Sequence, residues 1–486
     1  MNPNTIDIVV AANNISLLYV VIAFIVAVLL ARKTEKKWPA LILVFWILAQ
    51  PVLNAYYIIK VPGLPFDFQP NRTLFLFLLA YFAFGLVGAN KTRSYNIQHK
   101  ADFTPYLIAY IIFVIIAMLL NMNTLTIKRL VAIPLEPLTF LLLFLYVKDI
   151  VTEKLLRTLL YAIVIMSVVN AFIALYQITI DVFFLRIGAP RVAFGGIYRS
   201  YGVFPTEYIL GGLQVISVFI VATLLKKNSI KYPVIILLVM SLITTFHRLD
   251  LLIVMVCGLV YVSKYAKKKM SGPILMILSL GVASTVPAYI VYKSVAGESQ
   301  FVSDRLSDDT VSGRFQQYAI VIKNMPKHLL GLGSYEHPAY QKLMIDNNMT
   351  KSVMQPDGTK RAIGLGVHNG FLGVGIQYGV MAMLAFSLLL WKMFHYFLKR
   401  ATRDNPLSII PLFAVAVWVL SNLSNGVIVF SSYNVMLIAL ITGAFVGLFE
   451  QGGFTNGNNS IESADNKSSF KEKSAEKNKY VGVKLR

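Results

Sequence analysis

Apolar runs of about 17–25 residues recur along the whole chain, and no other feature restricts its fold as severely. At about 1.5 Å per residue, a helix of that length crosses a hydrocarbon core of about 30 Å. Inside hydrocarbon every backbone N–H and C=O must find its partner within the segment, which a helix provides. Only 14% of the 486 residues are charged, against about 25% in an ordinary soluble domain. Spans are expected near 15–31, 38–58, 73–89, 104–120, 131–147, 158–180, 206–225, 232–246, 249–263, 272–292, 371–391, 407–423 and 432–449. The expected fold is therefore an all-α integral membrane protein of 12–14 transmembrane helices, thirteen on this count.

The N-terminal run is preceded by no Lys or Arg and followed by no small-residue cleavage pattern, so it is expected to remain as the first span. The single cysteine, Cys257, lies within an apolar run, which excludes a disulfide framework and a cysteine metal site and leaves a small buried hydrophobe. The net charge of +22 comes from short bursts of Lys and Arg between spans, not from a basic soluble domain. That pattern signals topology and contact with anionic lipid, not nucleic acid.

Lys and Arg alternate between connections, 28 in one set and 17 in the other. Setting aside the longest loop and the C-terminal tail, which weigh little in the positive-inside rule, leaves 21 against 8. The richer set is expected in the cytoplasm, with the N-terminus outside and the C-terminus inside. Residues 1–292 then form an N-terminal transmembrane bundle and 293–368 a long extracytoplasmic loop with short helices. Residues 369–451 supply the C-terminal transmembrane helices, and 452–486, rich in Asn, Ser, Lys and Glu, form a disordered cytoplasmic tail.

Within the long loop, Phe315, Tyr318, Ala319, Ile322 and Met325 make an apolar stripe of helical period, with Asp308, Asp309 and Thr310 at its start and Pro326 at its end. Such a helix packs on the bundle or lies in the interface, and Arg314 sits near its beginning. Gly331 and Gly333 permit tight turns or close approach of another group. His368 and Asn369 stand where the loop meets the next apolar run. Arg248 falls between two short spans, where burial near the membrane centre would cost about 2.5–3.5 kcal/mol, so a watery cavity and an anionic partner such as Asp250 are expected. Arg199 stands in an aromatic, arginine-containing outer segment, 181–205. Glu136, between Pro134 and Pro137, is an acidic residue well inside an apolar run, as a structural hydrogen-bonding group or as part of a substrate path. No metal-ligand spacing emerges, and Asp308–Asp309 fits a helix cap better than a metal pair.

In their order, Arg314, Pro326-x4-Gly331-x-Gly333 and His368-Asn369-x9-Gly379 resemble the R…P-(L/F)-x-G-x-G…H-N-x9-G pattern of the Wzy-type O-antigen polymerase and O-antigen ligase superfamily, with four residues here between the proline and the first glycine. Upstream, Arg199, Gly202 and Phe204 resemble its R-x-x-G-x-F element. Thr245 and Arg248 resemble T-x-S-R, with His247 in place of the usual serine. The similarity is clearest over 195–449. It implies a GT-C-like glycosyltransferase fold, a glycan donor linked to undecaprenyl diphosphate, transfer to a sugar hydroxyl, and no metal or other cofactor. It further implies a lipid-linked oligosaccharide as partner, with a chain-length regulator and a flippase in the same pathway.

The residues suit that chemistry. Release of a lipid diphosphate develops charge on phosphate oxygens, which guanidinium groups bind bidentately, so Arg199, Arg248 and Arg314 are the diphosphate candidates. The acceptor hydroxyl must lose a proton, and a neutral histidine with an ordinary pKa near 6.5 accepts it, making His368 the candidate base. Asn369, Gly331 and Gly333 are substrate-binding candidates; His328 and His337 compete with His368. A polymerase and a ligase differ only in the acceptor, and the polymerase is the preferred expectation. A transporter or flippase of a lipid-linked or anionic solute is the rival from another class, but paired half-helices and internal symmetry are not apparent.

Overall fold

The computed structural model describes residues 7–10, 14–60, 70–88, 101, 103–187, 190–194, 197–265, 308–354, 360–424, 430 and 432–452. The span expected near 272–292, the start of the long loop and the tail from 453 onward lie outside the described residues. Apolar runs become helices α1 (Asn14–Ala31), α2 (Lys37–Tyr56), α3 (Pro70–Gly88), α4 (Thr104–Leu120), α5 (Ile127–Ile150) and α6 (Glu153–Thr179). Next come α7 (Glu207–Leu224), α8 (Asn228–Thr244) and α9 (Arg248–Tyr265). The long loop contributes α10 (Asp308–Asn324) and α11 (Pro338–Asp346), followed by α12 (Gly370–Tyr378), α13 (Val380–Arg400), α14 (Ile410–Ser424) and α15 (Tyr433–Glu450). Among the described residues, eight helices are long and apolar enough to cross a membrane.

The chain is mainly helical, with three small antiparallel ribbons added. Asp7–Val10 pairs with Tyr57–Lys60, Val192–Phe194 with Ile197–Tyr198, and Thr350–Met354 with Lys360–Gly364. The last ribbon lies in the long loop, where short helices alone were expected.

Helix α15 is the axis of the packing, with all of its side chains buried. Its Gly443 and Gly447, four residues apart, lie against the backbone of α5; a Cβ on either would come within 2.6 Å of Phe144 O or 2.4 Å of Lys148 O. Small residues at that spacing let two membrane helices approach closely. Tyr433 Oη donates to Ile47 O at 2.5 Å, and Asn434 Nδ2 to Ile209 O at 2.9 Å, so α15 joins α2 and α7 in one core. At the far end of α15, Glu450 pairs with Lys148 at 2.8 Å and accepts from Ala101 N at 3.1 Å.

The expected span at 371–391 is not one helix. Gly379 has φ +95° and divides it into α12 and α13. On a straight helix, fifteen residues of separation between Phe371 and Phe386 would amount to about 22 Å. Their ring centroids are 5.6 Å apart, so α12 folds back on α13. The hairpin returns the start of α12 to the bundle, against the aromatic group of Phe386, Trp418 and Phe430.

Candidate functional site

His368 and Asn369 occupy the entrance to α12. Asn369 is its N-cap: Oδ1 accepts from Leu372 N at 3.0 Å, while Nδ2 donates to Leu423 O at 3.1 Å at the end of α14. The segment leading to them, beyond the ribbon that ends at Gly364, is held by α10 and α11. Tyr340 Oη of α11 donates to Leu365 O at 2.6 Å, and Gln317 Nε2 of α10 donates to Gly366 O at 3.0 Å. Gln317 Oε1 accepts from His368 N at 3.3 Å, and Tyr318 Oη donates to His368 O at 3.2 Å. Every one of these bonds engages the backbone. The His368 side chain is exposed and makes no hydrogen bond among the described residues.

Helix α10 also carries Arg314, one turn before Gln317 and Tyr318. Arg314 is exposed, and its charge reaches both His368 and Tyr318. Partial desolvation on the side of the ring that faces the protein, and second the Arg314 guanidinium, hold the His368 imidazole below its ordinary pKa. A lowered pKa favours the neutral ring, the form able to accept a proton. His337 is committed differently: its Nδ1 accepts from Ala339 N at 3.1 Å as the cap of α11. His328 ends the turn after α10, its backbone oxygen accepting from Gly331 N at 2.9 Å.

The apolar stripe expected on α10 is rotated. Gln317, Val321 and Met325 face inward, whereas Phe315, Ala319 and Ile322 are exposed. The paired bonds of Gln317 with Gly366 and His368 set this rotation, because a buried amide must be satisfied and its partners lie on one side.

Gly331 and Gly333 dock the turn after α10 onto the end of α12. Leu332 N donates to Ile376 O at 3.0 Å, Gly333 N to Gln377 O at 2.7 Å, and Val380 N to Leu329 O at 3.0 Å. Gly331 has φ +80°, and a Cβ there would fall 2.3 Å from Gln377 O. Asn121, just after α4, donates from Nδ2 to Gly331 O at 3.2 Å, and Arg129 bonds Ser334 at 3.4 Å and forms an ion pair with Glu336.

Arg199 and Arg248 form a second group at the same end of the bundle, where α7 and α9 begin. Ser200 N donates to Thr244 O at 3.0 Å, and the hydroxyls of those residues are 2.6 Å apart, which ties the segment after Arg199 to the turn before Arg248. Arg199 Nη1 donates to Glu207 Oε1 at 2.7 Å, and Arg191 lies 3.7 Å from the same oxygen. Asp250 is not the partner of Arg248. It is buried, and its Oδ2 lies 2.7 Å from His247 Nδ1. Arg248 is exposed, with no hydrogen bond or ion pair among the described residues. The reason is geometric: a buried carboxylate takes the half-buried ring within reach and leaves the longer guanidinium to the surface. Glu136 is half-buried midway along α5, within electrostatic range of Arg72.

Gln317, Tyr318, Glu207 and the His247–Asp250 pair were not read as functional from the sequence. Their signal was weak: one polar residue inside an apolar period, or an acidic residue in the first turn of a helix.

No curated protein matches the chain. A family model does: Wzy_C, described as O-antigen ligase, matches residues 233–387. The matched segment runs from α8 into α13 and contains Arg248, Arg314, Gly331, Gly333, His368 and Asn369. Over that segment, about a third of its length, the chain is similar to the O-antigen ligase family, and the match supports a relationship to the O-antigen polymerase and ligase superfamily.

Proposed function

We propose that this protein is a membrane glycosyltransferase of GT-C-like type. It moves a glycan from undecaprenyl diphosphate to a sugar hydroxyl of another lipid-linked repeat unit at the extracytoplasmic face, as a polysaccharide polymerase. The observation that carries this reading is a His368 ring without a hydrogen bond among the described residues and within electrostatic range of Arg314, both fixed through α10. His368 takes the proton of the acceptor hydroxyl, whose oxygen bonds to the anomeric carbon as the bond from that carbon to the diphosphate oxygen breaks. Arg314, Arg248 and Arg199 offset the charge left on the lipid diphosphate. Asn369 shapes the approach by holding the first turn of α12, and Gly331 and Gly333 hold α10 beside it. The reaction requires no metal or other cofactor. A flippase supplies the donor, and a chain-length regulator acts beside the enzyme.

A second reading is a ligase that delivers the glycan to a lipid A core, and the description of the matching family favours it. The experiment uses purified protein in nanodiscs with the lipid-linked repeat unit, with and without a lipid A core acceptor. Lengthened glycans on the polyprenyl lipid in the absence of any other acceptor support the polymerase. Product only when the lipid A core is added establishes the ligase instead. No transfer to either acceptor by folded protein overturns the enzyme reading and favours transport.

A further inference from the structure

The face of α10 turned away from the site is apolar and uncovered. Phe315 is 66% exposed, Ile322 56%, and Leu329 and Leu330, in the turn that follows, 57% and 54%. A soluble surface rarely carries so many large side chains at such exposure in one contiguous ridge. The ridge does not end in water. Leu329 O accepts from Val380 N, the first residue of α13, so the turn that carries Leu329 and Leu330 is joined to the helix start that carries Met381 and Leu384. Those two are also exposed, and they begin the outward apolar face of a helix long and apolar enough to cross the membrane.

Lys323 and Lys327 flank the ridge, four residues apart and both exposed. Exposed lysines beside large apolar side chains are the pattern of a helix in the headgroup layer, its apolar face towards the acyl chains and its cations towards phosphate. The bend at Gly379 makes this placement possible. Had α12 continued straight out from α13, α10 would stand clear of the membrane; folded back, it lies beside the first turns of α13.

We propose that Phe315, Ile322, Leu329 and Leu330, with Lys323 and Lys327, form a membrane-interface anchor occupied by the anionic lipid leaflet at this end of the bundle. The anchor sets the depth of the whole site. Arg314 and His368 are held at the level of lipid phosphates, and a ligand attached to lipid reaches them without leaving the leaflet. This inference rests on the exposed ridge and on the reading of α13 as a span; it does not depend on the enzymatic reading.

The test uses the full chain in phosphatidylglycerol–phosphatidylcholine nanodiscs. Cys257 is replaced by Ala, and a single cysteine introduced by Ile322→Cys or, separately, Leu330→Cys carries an environment-sensitive fluorophore. Lys342→Cys, on α11, is the control. The anchor predicts blue-shifted emission at 322 and 330, quenched by brominated acyl chains and protected from aqueous iodide, with emission at 342 open to iodide. Quenching of 322 and 330 by iodide but not by brominated lipid overturns the proposal. Protection from both quenchers, with disulfide cross-linking between copies at 322, also overturns it by making a second chain the occupant. Because quenching is read without transfer activity, a failed anchor and a failed enzymatic reading are distinguishable.

Discussion

Replacing Gly379 by alanine tests whether the hairpin builds the site. Gly379 has φ +95° and ψ 164°, a region open essentially to glycine alone, where another residue costs of order 1–3 kcal/mol. A Cβ would also lie 2.4 Å from Leu329 O, the oxygen that accepts from Val380 N. Losing that hydrogen bond costs about 1 kcal/mol more. The sum is about 2–4 kcal/mol against the closed hairpin, or about 30- to 700-fold in the ratio of closed to open forms. The open form lifts α12 from Phe386 and separates α10 from the segment bearing His368. The assay pairs thermal unfolding in nanodiscs with single-turnover transfer. Gly379→Ala is expected to keep its membrane insertion while losing both thermal stability and transfer. Gly313→Ala is the reference, because a Cβ there meets nothing within 4 Å. Wild-type stability and rate in Gly379→Ala would refute the argument that this turn holds the site together.

Three further outcomes are expected. Protonated His368 cannot act as a base, and its pKa is held below the ordinary value by partial desolvation and by Arg314, so transfer should persist at mildly acidic pH and fail only below it; Arg314→Gln should move that acid limb to higher pH, and an unmoved limb in a pH–rate profile would remove Arg314 from the effect. Gln317→Ala should reduce transfer and destabilise the loop by about 1–3 kcal/mol, because it leaves Gly366 O and His368 N without their partner, as thermal unfolding and single-turnover rates would reveal. Arg314→Lys should lose most activity although charge is kept, and wild-type activity should survive EDTA; normal kinetics in the variant, or abolition by chelation with rescue by Mg²⁺, would contradict arginine-based phosphate binding.

The helices were legible because a membrane span writes its length directly into the sequence, and α1, α4 and α15 begin and end within a residue or so of expectation. The break at Gly379 was not legible, because glycine is common in membrane helices and one residue in an apolar run does not reveal its φ. The approach of His368 to Arg314 could be anticipated only through motif order, since 54 positions separate them. The rotation of α10 escaped for a different reason. Its apolar residues cover more than one face, and a single polar residue, Gln317, decides which face turns inward. The partner of Asp250 depended on relative depth: Arg248 and His247 are both within a turn of it in sequence, and only the fold places the imidazole at the carboxylate.

The proposed reaction turns on His368 taking the proton of the acceptor hydroxyl. The most direct measurement is single-turnover glycan transfer by purified wild type and His368→Ala in nanodiscs, with unfolding monitored in parallel. The two proteins are expected to be equally stable, with a rate about 10²- to 10⁴-fold lower for the variant. Transfer by a folded His368→Ala at the wild-type rate would contradict that role.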